Sequence, residues 1–112
     1  MRNDRIEIVD LFTYFAVAAR GTALRNHQVG DRYGETIALA RARVYEGAVE
    51  LVSRLEPREA AVEMMRRAAV LHVRNPPLMD FDALSVQYLC ARAWQFCAWQ
   101  INPALPEMQP PW

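Results

Sequence analysis

The chain has 112 residues, 53% of them hydrophobic, and its 13 arginines balance 13 acidic residues without a single lysine. This hydrophobic content argues against a disordered chain, and the length suits one core. Charge neutrality argues against a dedicated nucleic-acid binder, because neutralising phosphates requires a clear basic excess. The absence of lysine excludes Schiff-base and P-loop chemistry, which both use its amine.

Residue usage also indicates a setting for the protein. Arginine as the sole cation, together with 17 alanines, is typical of a GC-rich genome, and we expect a high-GC bacterium or one of its phages. Cys90 and Cys97 would lie about 10 Å apart along a helix, too far for an internal disulfide. We therefore expect two reduced thiols in a cytoplasmic protein. No stretch of about 20 apolar residues predicts a membrane span.

The first predicted helix begins after Asp4, whose carboxylate can accept hydrogen bonds from the first turn, with Glu7 also near the positive helix end. Gly21 predicts the end of this helix, because glycine readily adopts the left-handed conformation of a C-cap. Between them, apolar residues recur at the spacing of one helix face: Ile8, Leu11, Phe12, Phe15 and Ala19.

Residues 21–33 are predicted to form a loop, with a short helical turn around Ala23 and Leu24 as an alternative, and with Asp31 as the N-cap of the next helix. Arginine forks and an imidazole beside flexible glycines can bind a phosphate or a carboxylate. The alternative is a solvated loop whose arginines pair with nearby acids or cap the first helix. The candidate anion-binding residues are Arg20, Arg25, His27, Arg32 and Tyr33.

The second helix is predicted over residues 33–55, where large apolar residues repeat every seven positions. Gly47 lies inside this helix and indicates a close helix crossing. Pro57 predicts the start of the third helix, because proline is favoured in the first turn. The prolines at 76–77 predict its end. With almost no residues between them, the second and third helices are expected to form an antiparallel hairpin.

Four glutamates flank the connection between these two helices. Carboxylates on neighbouring helices can hold divalent cations, as in di-metal helical bundles and nucleotide hydrolases. However, the ExxE and ExxH spacings of such sites are missing, and arginines lie within reach of Glu50 and Glu63. We expect a charged, solvated face, with a metal site as the alternative reading of Glu46, Glu50, Glu59 and Glu63.

The fourth helix, predicted from Asp80 or Asp82 to about Ile101, is the most hydrophobic element. Its apolar side chains spread around the whole circumference, which requires burial on nearly all sides. Three short helices can barely cover it, so part of it is expected to face a second subunit or another protein. The predicted partner-binding residues are Tyr88, Trp94 and Trp99, together with Trp112 at the end of a tail.

These features predict an all-α protein: an antiparallel bundle of about four helices over residues 1–102, followed by a proline-rich extended tail over 103–112 that packs on the domain or contacts a partner. The predicted function is that of a small non-catalytic interaction protein, a homodimer or part of a larger assembly, without cofactor or metal. One alternative is a metal-dependent nucleotide hydrolase using the glutamates. Another is a weak nucleic-acid binder using the arginine-rich loop.

Overall fold

The computed structural model describes residues 1–73 and 81–107, and every regular element within these ranges is an α-helix. The prediction of an all-α, four-helix protein is therefore confirmed. None of the described helices combines the length and the apolar character needed to cross a membrane. The helices are α1 (Arg5–Gln28), α2 (Arg32–Arg54), α3 (Pro57–Val73) and α4 (Phe81–Ile101).

Side-chain caps fix the starts of the first two helices. The Asp4 carboxylate accepts hydrogen bonds from the backbone N–H groups of Ile6 and Glu7, at 3.0 and 3.3 Å. The Asp31 carboxylate accepts one from Gly34 at 2.9 Å. Both aspartates satisfy donors that a helix start otherwise leaves unpaired. The N-caps predicted from the sequence are therefore confirmed.

The predicted loop over residues 21–33 is wrong, because α1 continues through Gly21 as far as Gln28. Glycine inside a helix costs about 1 kcal/mol relative to alanine, and packing readily offsets that amount. Here Ala23 lies buried where α1 packs along α2. The left-handed residue is instead Gly30, with φ of 78°. The connection therefore shrinks to residues 29–31.

The helices pair differently from the sequence-based expectation. α1 packs along α2, α3 packs along α4, and α2 crosses α4, whereas α2 and α3 make little contact. The predicted α2–α3 hairpin is therefore wrong. Its physical reason lies in Leu55, whose extended conformation (φ −111°, ψ 157°) redirects the chain between the two helices. α2 then offers its Gly47 face to α4.

Four helix ends meet at one end of the molecule. The backbone N–H of Arg2 donates to the carbonyl of Ile101 at 2.8 Å. Arg5 Nη2 donates to the carbonyl of Leu55 at 3.1 Å and lies 3.5 Å from the Glu56 carboxylate. These contacts bring together the start of α1, the end of α2, the start of α3 and the end of α4.

The core combines a few large side chains with many alanines. Alanine lets helix backbones approach closely, and Gly47 extends this effect: a Cβ placed on it would lie 2.8 Å from Cη2 of Trp94. The close crossing predicted at Gly47 is thus present. Val62 on α3 is exposed. The largest fully buried side chains include Ile8, Phe12, Leu51, Met64, Met65 and Ile101.

Candidate interaction surface

Arg20, the first candidate anion-binding residue, is held by a carboxylate of the same chain. Its Nε–H and Nη2–H donate to Oε2 and Oε1 of Glu46, both at 2.8 Å. This two-pronged bond is the strongest geometry available to an arginine–carboxylate pair. It lowers the pKa of Glu46 and raises that of Arg20. The pair joins α1 to α2 across an exposed surface.

The other candidate anion-binding residues do not converge on one point. Arg25 Nη2 donates to the Thr22 hydroxyl at 3.1 Å, within α1. His27 Nδ1 lies 3.1 Å from both carboxylate oxygens of Glu35. Arg32 and Tyr33 lie in the first turn of α2 and are exposed. With residues 21–28 helical, these side chains point from separate faces of two helices rather than from one flexible loop.

The glutamates of the metal alternative are also kept apart. Glu46 is bound by Arg20, and Glu50 lies 3.6 Å from Arg54. The Glu63 carboxylate accepts hydrogen bonds from Arg66 at 2.8 and 2.5 Å and from Arg67 at 3.4 Å. These bonds lower its pKa. Glu59 is exposed. Among the described residues, no group of three or more acidic, histidine or cysteine side chains is placed to hold a metal ion.

α4 is covered by its own chain more fully than the sequence suggests. Trp94 is only 8% exposed, because it packs over Gly47 and beneath the Arg67 guanidinium, whose Cζ lies 4.9 Å from the ring centre. Half-buried Trp99 donates its Nε1–H to the carbonyl of Leu105 at 2.9 Å. Both tryptophans are therefore engaged by their own chain, and their role in binding a partner stays a prediction.

The exposed aromatic residues of the fourth helix lie elsewhere. Tyr88 and Phe96 are both exposed. The ring centre of Phe96 lies 5.5 Å from that of Phe15, and the ring centre of Tyr45 lies 5.5 Å from that of Phe15 as well. This aromatic cluster joins α1, α2 and α4. Trp112, the fourth predicted contact residue, lies outside the described residues.

A line of exposed apolar residues on α1 was not singled out from the sequence. Ile6, Val17 and Leu24 are 75%, 67% and 58% exposed. They are spaced by 11 and 7 residues, which is close to whole turns of the helix, so the three side chains share one face. This face points away from the buried residues Ile8 and Phe12. Exposed polar residues continue the line between them. We call this set the α1 stripe: Ile6, Asp10, Thr13, Val17, Arg20 and Leu24.

A cleft of about 380 Å³ opens beside the middle of the α1 stripe, between α1 and α2. Its walls are mostly apolar, and the Arg20–Glu46 ion pair lies at one edge. The sequence pattern held a signal for this surface, since Ile6, Val17 and Leu24 share one helical face. Recognising it required knowing that α1 continues past Gly21. The lining residues are Thr13, Ala16, Val17, Arg20, Glu46 and Val49.

Comparisons with protein-family models, with curated proteins and with solved structures give no match. Function is therefore inferred from the residues of the chain alone.

Proposed function

We propose that the protein is a small non-catalytic interaction protein that binds another protein chain through the α1 stripe. The observation that carries this proposal is the line of Ile6, Val17 and Leu24 beside an open cleft. Single exposed apolar side chains are ordinary, but an aligned set beside a concavity is typical of a contact surface. The two cysteines are free, which supports a reducing, cytoplasmic setting.

The magnitude of the available burial supports a real though modest affinity. Fully burying an aliphatic side chain contributes about 1.5–3 kcal/mol. Three such residues on the stripe can therefore offset the lower part of the roughly 4–15 kcal/mol that association costs in lost freedom. Contacts from the partner and from the cleft must supply the rest. We infer an affinity that depends on all three side chains.

Pairing of charges within the chain favours this proposal over the hydrolase. A divalent cation needs carboxylates whose oxygens are available and close together. Glu46 and Glu63 are instead bound by arginines, and α2 and α3 diverge after their connection. The same pairing of Arg20, with His27 beside Glu35, leaves less cationic surface for nucleic acid than the sequence suggests.

Photocrosslinking from the stripe tests the proposal. The photoreactive residue p-benzoylphenylalanine is introduced at Val17 and, as a matched control, at Val62, an exposed valine on α3. Irradiation in the cell should give a covalent adduct with a protein chain from position 17 and much less from position 62. Equal yields from both positions, or no adduct at all from position 17, would overturn the proposed function.

A further inference from the structure

We propose that the partner of the α1 stripe is a second copy of the same chain, bound with the two α1 helices antiparallel. This inference rests on the proposed function for the location of the contact surface and adds the occupant and its register. Its basis is that the stripe is complementary to itself when one copy is reversed.

The positions of the stripe follow a heptad pattern. One set of residues is Ile6, Thr13 and Arg20, each seven residues after the last. The other set is four residues further along, at 10, 17 and 24. In an antiparallel pair of helices, residues of the first set form layers with residues of the second set on the other helix. The stripe therefore has the geometry of a short helical seam.

A twofold axis level with residue 15 matches every layer by its chemistry. Ile6 then faces Leu24 of the second copy, pairing two large aliphatic side chains. Thr13 faces Val17 of the second copy, two β-branched side chains of similar size. The layer that remains pairs Asp10 with Arg20. A shift of one heptad in one direction would place Arg20 against Val17, where its charge would lose water without a partner. A shift in the other direction would place Asp10 against Thr13 and leave Arg20 and Leu24 beyond the start of the facing helix.

The charged layer is supported by the bonds that these residues make within one chain. Asp10 is exposed and has no ion pair among the described residues. Arg20 uses Nε and Nη2 to bind Glu46, so its Nη1 has no partner in the described part of the chain. One guanidinium can therefore bind Glu46 of its own chain and Asp10 of the second copy together. The twofold axis creates this contact twice.

The cleft supplies the matching shape. Thr13 and Val17 line it, and in the proposed register Val17 of the second copy arrives level with Thr13. Because the contact uses the same surface on both copies, it closes as a dimer and does not continue into a filament. Because the net charge of the chain is zero, no overall charge repulsion opposes the association of two copies.

Charge reversals test the register through the mass of the particle in solution. Asp10→Arg changes an exposed residue and places it against Arg20 of the second copy. We expect its dimer dissociation constant to rise by more than about tenfold, since like charges brought together are strongly unfavourable. The triple variant Asp10→Arg, Arg20→Glu, Glu46→Arg restores both the pair within the chain and the pair between chains. It should dimerise within about threefold of the natural protein.

Sedimentation equilibrium at matched concentrations measures these constants, and thermal unfolding confirms that each variant folds. If the triple variant does not fold, the comparison of Asp10→Arg with Asp10→Ala decides, because only the arginine introduces repulsion. A dimer that is indifferent to Asp10→Arg would overturn the register. If the natural protein is a monomer but still crosslinks from position 17 to another protein, the proposal that the partner is a second copy is overturned, and the proposed function stands. If no crosslink forms from position 17, both the dimer and the proposed function are overturned.

Discussion

Arg20 on α1 and Glu46 on α2 form two parallel hydrogen bonds of 2.8 Å at the edge of the cleft. The pair links the two helices across an exposed surface. It also removes one member from each of two candidate sites, the arginine from an anion site and the glutamate from a metal site. Beside it, Val17 and Leu24 of the α1 stripe are exposed.

The Arg20–Glu46 pair predicts a change of stability in acid. Because the hydrogen bonds lower the pKa of Glu46 in the folded state, its stabilisation is present above the ordinary glutamate pKa and is lost as the pH falls through the lowered value. The pair is exposed to solvent, so the loss should be small. Denaturant titrations from neutral to acid pH should show a shallower decline for Glu46→Gln than for the natural protein. Glu50→Gln serves as the control, since Glu50 is only loosely paired at 3.6 Å.

Two glycines inside helices should respond to alanine in opposite directions. At Gly47 a Cβ would lie 2.8 Å from Cη2 and 3.3 Å from Cζ2 of Trp94, and Gly47→Ala should destabilise the protein by about 1–3 kcal/mol through overpacking. At Gly21 the nearest atom is Arg25 Nη1 at 3.6 Å, and Gly21→Ala should stabilise by about 0.5–1 kcal/mol through helix propensity. Urea unfolding measures both. Stabilisation by Gly47→Ala would contradict the crossing of α2 and α4.

The two thiols should react in a fixed order. Burial raises the pKa of both, and Cys97 is the more deeply buried, while Arg41 partly offsets the effect at Cys90. Since the thiolate is the reactive form, both thiols should react slowly in the folded protein, with Cys90 labelled first and Cys97 only on unfolding. An aromatic disulfide reagent with and without denaturant measures the two rates. Rapid labelling of Cys97 in the folded protein would contradict the packing of α4.

Gln95 is a buried polar side chain of α4, and its replacement should be tolerated. Its Oε1 accepts a 3.4 Å hydrogen bond from Arg92, while its Nε2 has no partner among the residues that the structure describes. An unpaired buried donor costs about 1–3 kcal/mol. Gln95→Met, of similar volume, should therefore leave the free energy of unfolding unchanged or raise it. A loss of more than about 1 kcal/mol would show that the amide is satisfied in solution.

Sequence periodicity predicted the helices well because it depends on local spacing. Asp4, Asp31 and Pro57 marked helix starts through capping and backbone rules that need no tertiary contact. The errors arose where distant packing decides. Gly21 predicts the end of α1, but Ala23 two residues later is buried in the helix that continues. Pro57 close after α2 predicts a hairpin, but the extended backbone of Leu55 gives the chain another direction.

The candidate site was harder to predict for the same reason. The hydrophobicity of α4 pointed to a partner, but the chain itself covers Trp94 with Arg67 and Trp99 with Leu105. An exposed surface with apolar residues lies instead on α1, where the α1 stripe spans about five helical turns. It becomes visible only once the helix is known to reach Gln28. Ion pairs between helices, such as Arg20–Glu46, likewise depend on which helices pack together.

The most direct test of the antiparallel dimer is disulfide formation between two single variants mixed in solution. Ile6→Cys and Leu24→Cys are each made with Cys90→Ala, since Cys97 is buried. In the proposed register these two positions face each other, while identical positions lie about 27 Å apart along the helix. Under thiol–disulfide exchange, the disulfide-linked heterodimer of the two variants should accumulate over either homodimer. A statistical mixture of all three disulfides, or an equal tendency of either variant to crosslink with itself, would contradict the account.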